Sequence, residues 1–325
     1  MSTQAKSPLL RNFLIAAVVL LIVASFGDYQ ISKTIMNQNS IFGTIFQNYG
    51  LFPENLIGFI AGQIIVANGL KRDIPVISKV LLVAGGLAFA FWETLHAVDN
   101  FLFYTYSSIG NVKVGAALGA ANNDGGAVAY PHSLQIVISV IIWVIGSAIA
   151  YQWLKNKTEK SLQYLTTVAI AGVAVVYLSE AIVDTMKNNW GRFRPYEIFG
   201  NVKDAHFTAF WHQNGVNGHK SFPSGHTMAG MLAAFLPFFV ERKNVALQRK
   251  MTIVTIAYGV LMGLSRIRIG AHFLSDVTVS GTIVFALIFL SMQLLGYRFV
   301  EESDALAVDA LEDNAFQANY DFAKI

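Results

Sequence analysis

The 325-residue chain contains no cysteine. That absence excludes disulfides, thiolate nucleophiles and cysteine-ligated metals. Charge is scarce as well: 13% of residues are Asp, Glu, Lys or Arg, and the net charge is +3. No basic run, zinc-ligand spacing or glycine-rich nucleotide loop is present, so nothing points to a nucleic acid or other polyanionic partner. What fills the chain is apolar, 54% of it, which is the profile of a polytopic membrane protein rather than a large soluble domain.

A hydrocarbon core about 30 Å thick takes roughly 20 mainly apolar residues per helix. Eight segments approach that length: 12–36, 53–70, 74–97, 133–154, 161–186, 223–240, 250–267 and 272–297. Lipid offers unpaired backbone groups no partner, and helices satisfy them internally, so the expected fold is an all-α transmembrane bundle. Lys6 and Arg11 ahead of "FLIAAVVLLIVASFG" imitate the start of a signal peptide. No clear cleavage site interrupts the apolar run to about Met36, and an uncleaved first helix is expected.

With eight spans, one side collects most of the cations, among them Lys71, Arg72, Lys155, Lys157, Arg242 and Lys243. That side is expected to be cytoplasmic, together with both termini. The opposite side still receives Lys187, Arg192, Arg194, Lys203, Lys220, Arg266 and Arg268 in its last two loops. Cations on the side that normally avoids them, at the ends of membrane helices, mark an expected anion site.

Three short stretches fall there. In "KNNWGRFRP" (187–195), Lys187 supplies a point charge and Arg194 a planar fork suited to two phosphate oxygens. In "KSFPSGHTMAG" (220–230), Pro223 and Ser224 look like a helix start. The amides of Gly225 and His226 then point at an incoming anion, and His226 is placed to give it a proton. In "SRIRIGAHFLSD" (265–276), Arg266 adds another fork, and His272 and Asp276 sit four residues apart on one helical face. At that spacing the carboxylate can hold one ring nitrogen and leave the other free to attack. Each stretch alone has a bland reading, as flanking cations, a helix cap, or a structural His–Asp pair. Their convergence on one face carries the weight.

This constellation resembles the type-2 phosphatidic acid phosphatase superfamily, whose signature runs K-x6-RP, PSGH, SR-x5-H-x3-D. It is matched at Lys187, Arg194 and Pro195, at Pro223, Ser224, Gly225 and His226, and at Ser265, Arg266, His272 and Asp276. The resemblance implies a six-helix phosphatase core over 74–299. Residues 1–73 would add two N-terminal transmembrane helices outside the chemistry, and 300–325 an acidic cytoplasmic tail. It also implies phosphoryl transfer through a phosphohistidine, with no cofactor and no metal. His272 would be the nucleophile, oriented by Asp276, and His226 the acid and base. Lys187, Arg194, Ser224, Gly225 and Arg266 would hold the phosphate.

The expected substrate is a membrane lipid phosphate or isoprenyl diphosphate, of the phosphatidic acid, phosphatidylglycerol phosphate or undecaprenyl diphosphate class. The expected setting is a plasma or inner membrane, with the site on the extracytoplasmic face. Two alternatives stand beside it: a lipid phosphotransferase using the same intermediate, and a non-catalytic lipid-binding or transport protein. A vanadate-dependent haloperoxidase would use the same oxyanion pocket, but eight spans argue against it.

Overall fold

The computed structural model describes residues 8–120, 129–200 and 202–297. The acidic tail expected over 300–325 and the middle of the small-residue loop 115–131 lie outside these. The helices are α1 (Pro8–Ile35), α2 (Ile41–Tyr49), α3 (Phe52–Lys71), α4 (Val76–Lys113), α5 (His132–Leu154), α6 (Glu159–Trp190), α7 (Pro195–Ile198), α8 (Gly225–Leu232), α9 (Val245–Arg268) and α10 (Leu274–Leu294). A 3-10 segment, Ala233–Phe239, continues α8. Among the described residues there is no strand, and seven stretches are long and apolar enough to cross a membrane. The protein is a multi-pass membrane protein.

The helix starts follow local chemistry. Ser40, Thr158 and Asn244 cap α2, α6 and α9, each accepting a hydrogen bond from the backbone N–H three residues on, which satisfies one of the donors a helix leaves open at its first turn. At the far end of α6, Gly191 takes a left-handed conformation (φ 59°) that a side chain would oppose. The turn is held by Asn214 and Asn217, whose side-chain amides donate to the Gly191 carbonyl.

The sixth expected span differs from expectation. It is not a full-length helix but α8 followed by the 3-10 segment, 15 residues in all. Pro237 sits inside the 3-10 stretch, where its missing N–H and ring are incompatible with a regular α-helix. Eight α residues and seven 3-10 residues rise about 26 Å, so the broken segment still nearly traverses the bundle. It is also the most enclosed element: Met231, Leu232, Ala234 and Phe235 are buried against Ile57 and Ile64 of α3, Leu165 and Val168 of α6, and Val284 and Phe285 of α10. Outer helices α1 and α5 instead expose Ile15, Val18, Val19, Ile22, Val137, Ile141 and Ile145, the apolar belt expected of lipid-facing surface.

Helices α3 and α4 pack closely because Gly62 faces Gly86: a Cβ at either would come within 2.7 Å of the other's carbonyl oxygen. Interhelical hydrogen bonds from Gln63 to Ser147 (2.8 Å) and from Asn68 to Thr166 (2.9 Å) fasten α3 to α5 and α6. Helix α4 runs well past the expected end at residue 97. Asp99 and Asn100 lower the hydropathy there without stopping the helix, and the extension carries Tyr104 and Ser108 up beside α2, where Asn48 and Ser108 are hydrogen-bonded (3.0 Å).

The sorting of cations by side holds where the structure links them. At one end Lys71 donates to the Lys157 carbonyl (2.7 Å), Lys157 pairs with Glu241, and Glu241 also pairs with Lys243 (3.0 Å). Hydrogen bonds from Lys157 and Lys243 hold the Glu241 carboxyl below its usual range. At the other end Arg268 donates to the Ile35 carbonyl, and Asn37 N–H donates to the Arg268 carbonyl (2.6 Å).

Helix α1 is pinned to the bundle by charge. Asp28, 2% exposed, accepts from the fully buried Arg192 (3.0 Å) and from Ser275 N–H (3.0 Å) and Oγ. Removing one partner leaves a buried charge uncompensated, at a cost of about 3–5 kcal/mol. Asp28→Ala is therefore expected to lower the thermal unfolding midpoint in detergent sharply, whereas Lys243→Ala, at a surface pair, changes stability by about 1 kcal/mol or less; equal midpoints for both variants would remove this role.

Candidate active site

Three backbone segments meet at one end of the bundle: 191–195 after α6, 221–226 leading into α8, and 266–276 between α9 and α10. Their joints are backbone hydrogen bonds. Ser221 N–H donates to the Arg192 carbonyl (3.0 Å), Ser224 N–H to the Asp276 carbonyl (3.2 Å), and Tyr196 N–H to the Gly270 carbonyl (2.9 Å). Every sequence-predicted site residue lies in this assembly or on the last turn of α6.

His272 is 1% exposed. Its Nδ1 lies 2.6 Å from the Ser221 carbonyl oxygen. A carbonyl can only accept, so Nδ1 carries the proton and Nε2 presents its lone pair. Nε2 faces Arg194, whose Nη1 is 3.5 Å away. Burial, and then the charges of Arg194, Arg266 and Lys187, hold the His272 imidazole well below the ordinary histidine pKa. The ring is thus neutral, oriented, and aimed at a cation.

Asp276 stands differently from expectation. Its nearer oxygen is 3.7 Å from His272 Nδ1, beyond hydrogen-bond range. The carboxylate is instead filled by other donors: Arg192 Nη1 (2.5 Å) on Oδ1, with Ser221 Oγ (2.6 Å) and Phe273 N–H (2.8 Å) on Oδ2. The direct holder of the histidine tautomer is the Ser221 carbonyl, and Asp276 acts on His272 through Ser221 and through its charge. The bond from Phe273 N–H closes the first turn of α10, where a carboxylate is also favoured by the helix dipole.

Ser224 is the N-cap of α8, its Oγ accepting from Thr227 N–H (3.3 Å) and Thr227 Oγ1 (2.9 Å). Gly225 lies against Lys187: a Cβ there would collide with the lysine Nζ, so glycine is what lets this cation reach the start of α8. Lys187 itself is 3.9 Å from Asp184 one turn earlier. His226 Nε2 is 3.4 Å from the Gln47 carbonyl, and its ring meets Tyr104 edge-on at 5.1 Å. Arg266, 2% exposed, directs Nη1 and Nη2 to Gln47 Oε1 (3.2 Å each), and its buried Nε has no hydrogen-bond partner among the described residues.

Besides Ser221, four residues of this site are not marked by the sequence. Arg192 was counted only among the stranded cations, yet it is completely buried. Its guanidinium reaches Asp276, Asp28, Ser275 and the Thr208 carbonyl, and stacks 4.2 Å over Phe273. Asp28, Gln47 and Tyr104 come from α1, α2 and the extension of α4. Asp28 carries a signal that was available: it is an acid inside an otherwise apolar span, which by itself marks a functional or paired group. Gln47 and Tyr104 carry none. Asp28 lies on the first expected span and Gln47 on the short helix between the first two, both within residues 1–73.

Helices α2–α5 line an open cavity of about 380 Å³ whose walls are chiefly apolar side chains, including Tyr49, Phe52, Phe59, Phe101 and Ile142. Tyr49 packs at a tilt against Phe101, ring centroids 5.1 Å apart, one turn before Tyr104.

Two curated relatives are similar to part of the chain: a lipid A 1-phosphatase of Rhizobium etli, 32% identical over 145 residues, and a lipid A 1-phosphatase of Rhizobium johnstonii, 30% identical over 147. Each match covers 44% of this chain and 56% or 54% of the relative, so the chain spans about half the length of the curated relatives it matches. No solved structure matches it. The profile of the PAP2 superfamily matches residues 160–299, a segment that holds all three motif blocks.

Proposed function

We propose that this protein is an integral-membrane phosphatase that removes phosphate from a lipid phosphate or isoprenyl diphosphate. The observation that carries the reading is the neutral, buried His272, its Nδ1 proton held by the Ser221 carbonyl and its Nε2 facing Arg194. Such a ring is a prepared nucleophile beside a prepared anion clamp.

In this mechanism His272 Nε2 attacks phosphorus, and the bond from phosphorus to the lipid oxygen breaks. His226 gives that oxygen its proton, leaving a phosphohistidine and a lipid alcohol (or, from a diphosphate, a lipid monophosphate). His226, now unprotonated, takes a proton from water as the water oxygen attacks phosphorus. Inorganic phosphate departs and His272 is regenerated. Lys187, Arg194, Arg266, the Ser224 hydroxyl and the Gly225 and His226 amides hold the equatorial oxygens. Phosphate ester hydrolysis is among the slowest uncatalysed reactions, and its transition state spreads charge over those oxygens, so positioned cations supply much of the acceleration. Asp276 balances the charge that builds on the His272 ring.

Substrate class follows from location. A phosphate site at the ends of membrane helices suits an amphiphile whose chains stay in lipid, and the apolar cavity beside Tyr49 and Phe101 would seat one hydrocarbon chain. Phosphatidic acid, phosphatidylglycerol phosphate and undecaprenyl diphosphate are the leading candidates, and the relatives' names add the 1-phosphate of lipid A. The lysine-rich end around Lys71 and Lys157 is assigned to the cytoplasm and the site to the extracytoplasmic face. Residues 74–299 are assigned as the phosphatase core, with 1–73 completing its site.

Phosphate release by purified protein from these four lipids, in detergent with excess chelator, tests the reading. Wild type is expected to release phosphate, and His272→Ala and His226→Ala to lose it while eluting as folded protein; full activity in either variant, or a strict need for a divalent ion, overturns the mechanism. The pH profile gives a second test. Because His272 is held neutral, the acid limb of kcat/KM for free enzyme is expected well below the ordinary histidine value of about 6.5. Arg194→Gln removes one of the charges that depress the ring, so its pKa rises and the acid limb of the residual activity moves to higher pH. A limb that stays in place counts against His272 as the titrating nucleophile.

A further inference from the structure

Helix α2 lies outside the segment matched by the superfamily profile, yet one of its side chains grips a phosphate-clamp arginine. Gln47 is 2% exposed. Its Oε1 accepts from both terminal nitrogens of Arg266, 3.2 Å each, and only the oxygen end of the amide can face a guanidinium, which has donors alone. Two bonds to one acceptor fix the guanidinium against rotation about its own axis. Arg266 Nε, buried and without a partner among the described residues, is left as an open donor. The Gln47 backbone carbonyl lies 3.4 Å from His226 Nε2, so the turn that holds the arginine also holds the second histidine. An unpaired buried donor is costly unless something fills it, and a phosphate oxygen is an acceptor of the right charge.

Resting on the phosphatase reading above, we infer that Gln47 is a positioning residue for the reaction: its amide oxygen holds the Arg266 guanidinium in the orientation that meets a phosphate oxygen. Helix α2 is then a working part of the site rather than an added anchor. Its placement is itself secured. Ser40 caps its first turn, Asn37 N–H and the Arg268 carbonyl tie the preceding loop to α9, and Gly119 N–H donates to the Gln38 carbonyl (2.8 Å).

A double-mutant cycle on the full-length protein tests this, with kcat/KM measured for Gln47→Leu, Arg266→Gln and the double variant. Misplacing a positioned group by about 1 Å can lower the rate about 10²-fold, and Gln47→Leu is expected to lose about that factor. In the Arg266→Gln background the same change is expected to lose less than about 2-fold, since nothing remains to be oriented. Equal losses in both backgrounds, or a wild-type rate for Gln47→Leu, would overturn the inference; a merely structural glutamine gives equal losses.

Gln47→Glu guards against a folding defect. It keeps both acceptor bonds but cancels the arginine's charge, so it is expected to retain the wild-type unfolding midpoint and to weaken inhibition by inorganic phosphate about 10-fold. An unchanged inhibition constant places the contact outside the clamp and also overturns the inference. Should wild type release no phosphate from any lipid, the phosphatase reading fails by itself. Calorimetric binding of orthovanadate then decides the present point: Gln47→Leu weakens it only while Arg266 is present, or the inference is lost.

Discussion

The buried guanidinium of Arg192 is the constraint on which the rest of this site depends. It sits between two carboxylates from distant helices, Asp276 on α10 and Asp28 on α1, with no exposure to water. Two acids near one another in a low-dielectric interior would repel, and a lone arginine there would be strongly penalised. Together with the Ser275 and Thr208 bonds and the Phe273 ring they form a closed set in which each buried charge has a partner. The consequences run outward along hydrogen bonds: Arg192 fills one side of Asp276, which leaves the other side to Ser221, and the Ser221 carbonyl then sets the His272 tautomer. The geometry of His272 is thus inherited from an ion cluster that touches no substrate in the proposed mechanism.

The second constraint is the short central segment formed by α8 and its 3-10 continuation. Being both broken and fully enclosed, it presents the backbone amides of Gly225 and His226 at an interior helix start, close to the lysine that the missing Cβ of Gly225 admits. A regular span would put the same amides in the same direction, but the enclosure is what keeps the surrounding dielectric low and the cations Lys187, Arg194 and Arg266 effective. Stability and proposed chemistry therefore draw on the same packing: Phe235 and Leu232 anchor the segment in the core while Ser224 and His226 form its mouth.

Much of this was legible from the chain as written. Segments long enough to span were placed within a few residues at most ends, because hydropathy over about 20 residues is dictated by the bilayer and not by tertiary detail. The cations of the last two loops were recognisable as an anomaly against the charge bias. The His272 and Asp276 spacing predicts a shared helical face; the two side chains approach to 3.7 Å, but His272 lies ahead of α10 and not on it. What failed was local and had local causes. Asp99 and Asn100 mark a fall in hydropathy but not a helix end, so the reach of α4 does not show in the hydropathy pattern. Pro237 was visible, but its effect on the α8 segment depended on neighbours that let a 3-10 turn be buried.

Residue types, their order and their spacing along the chain determined the helical class, the membrane setting and the three motif blocks, because each follows from short-range chemistry or from the solvent. Partner choice among buried polar groups was settled only in three dimensions. Asp28, Gln47 and Tyr104 lie between 172 and 248 residues before Asp276, and no periodicity links them to it. They reach the site because α1, α2 and α4 pack where unpaired charge must be neutralised, and that requirement exists only once the chain has closed around Arg192, Arg266 and His226.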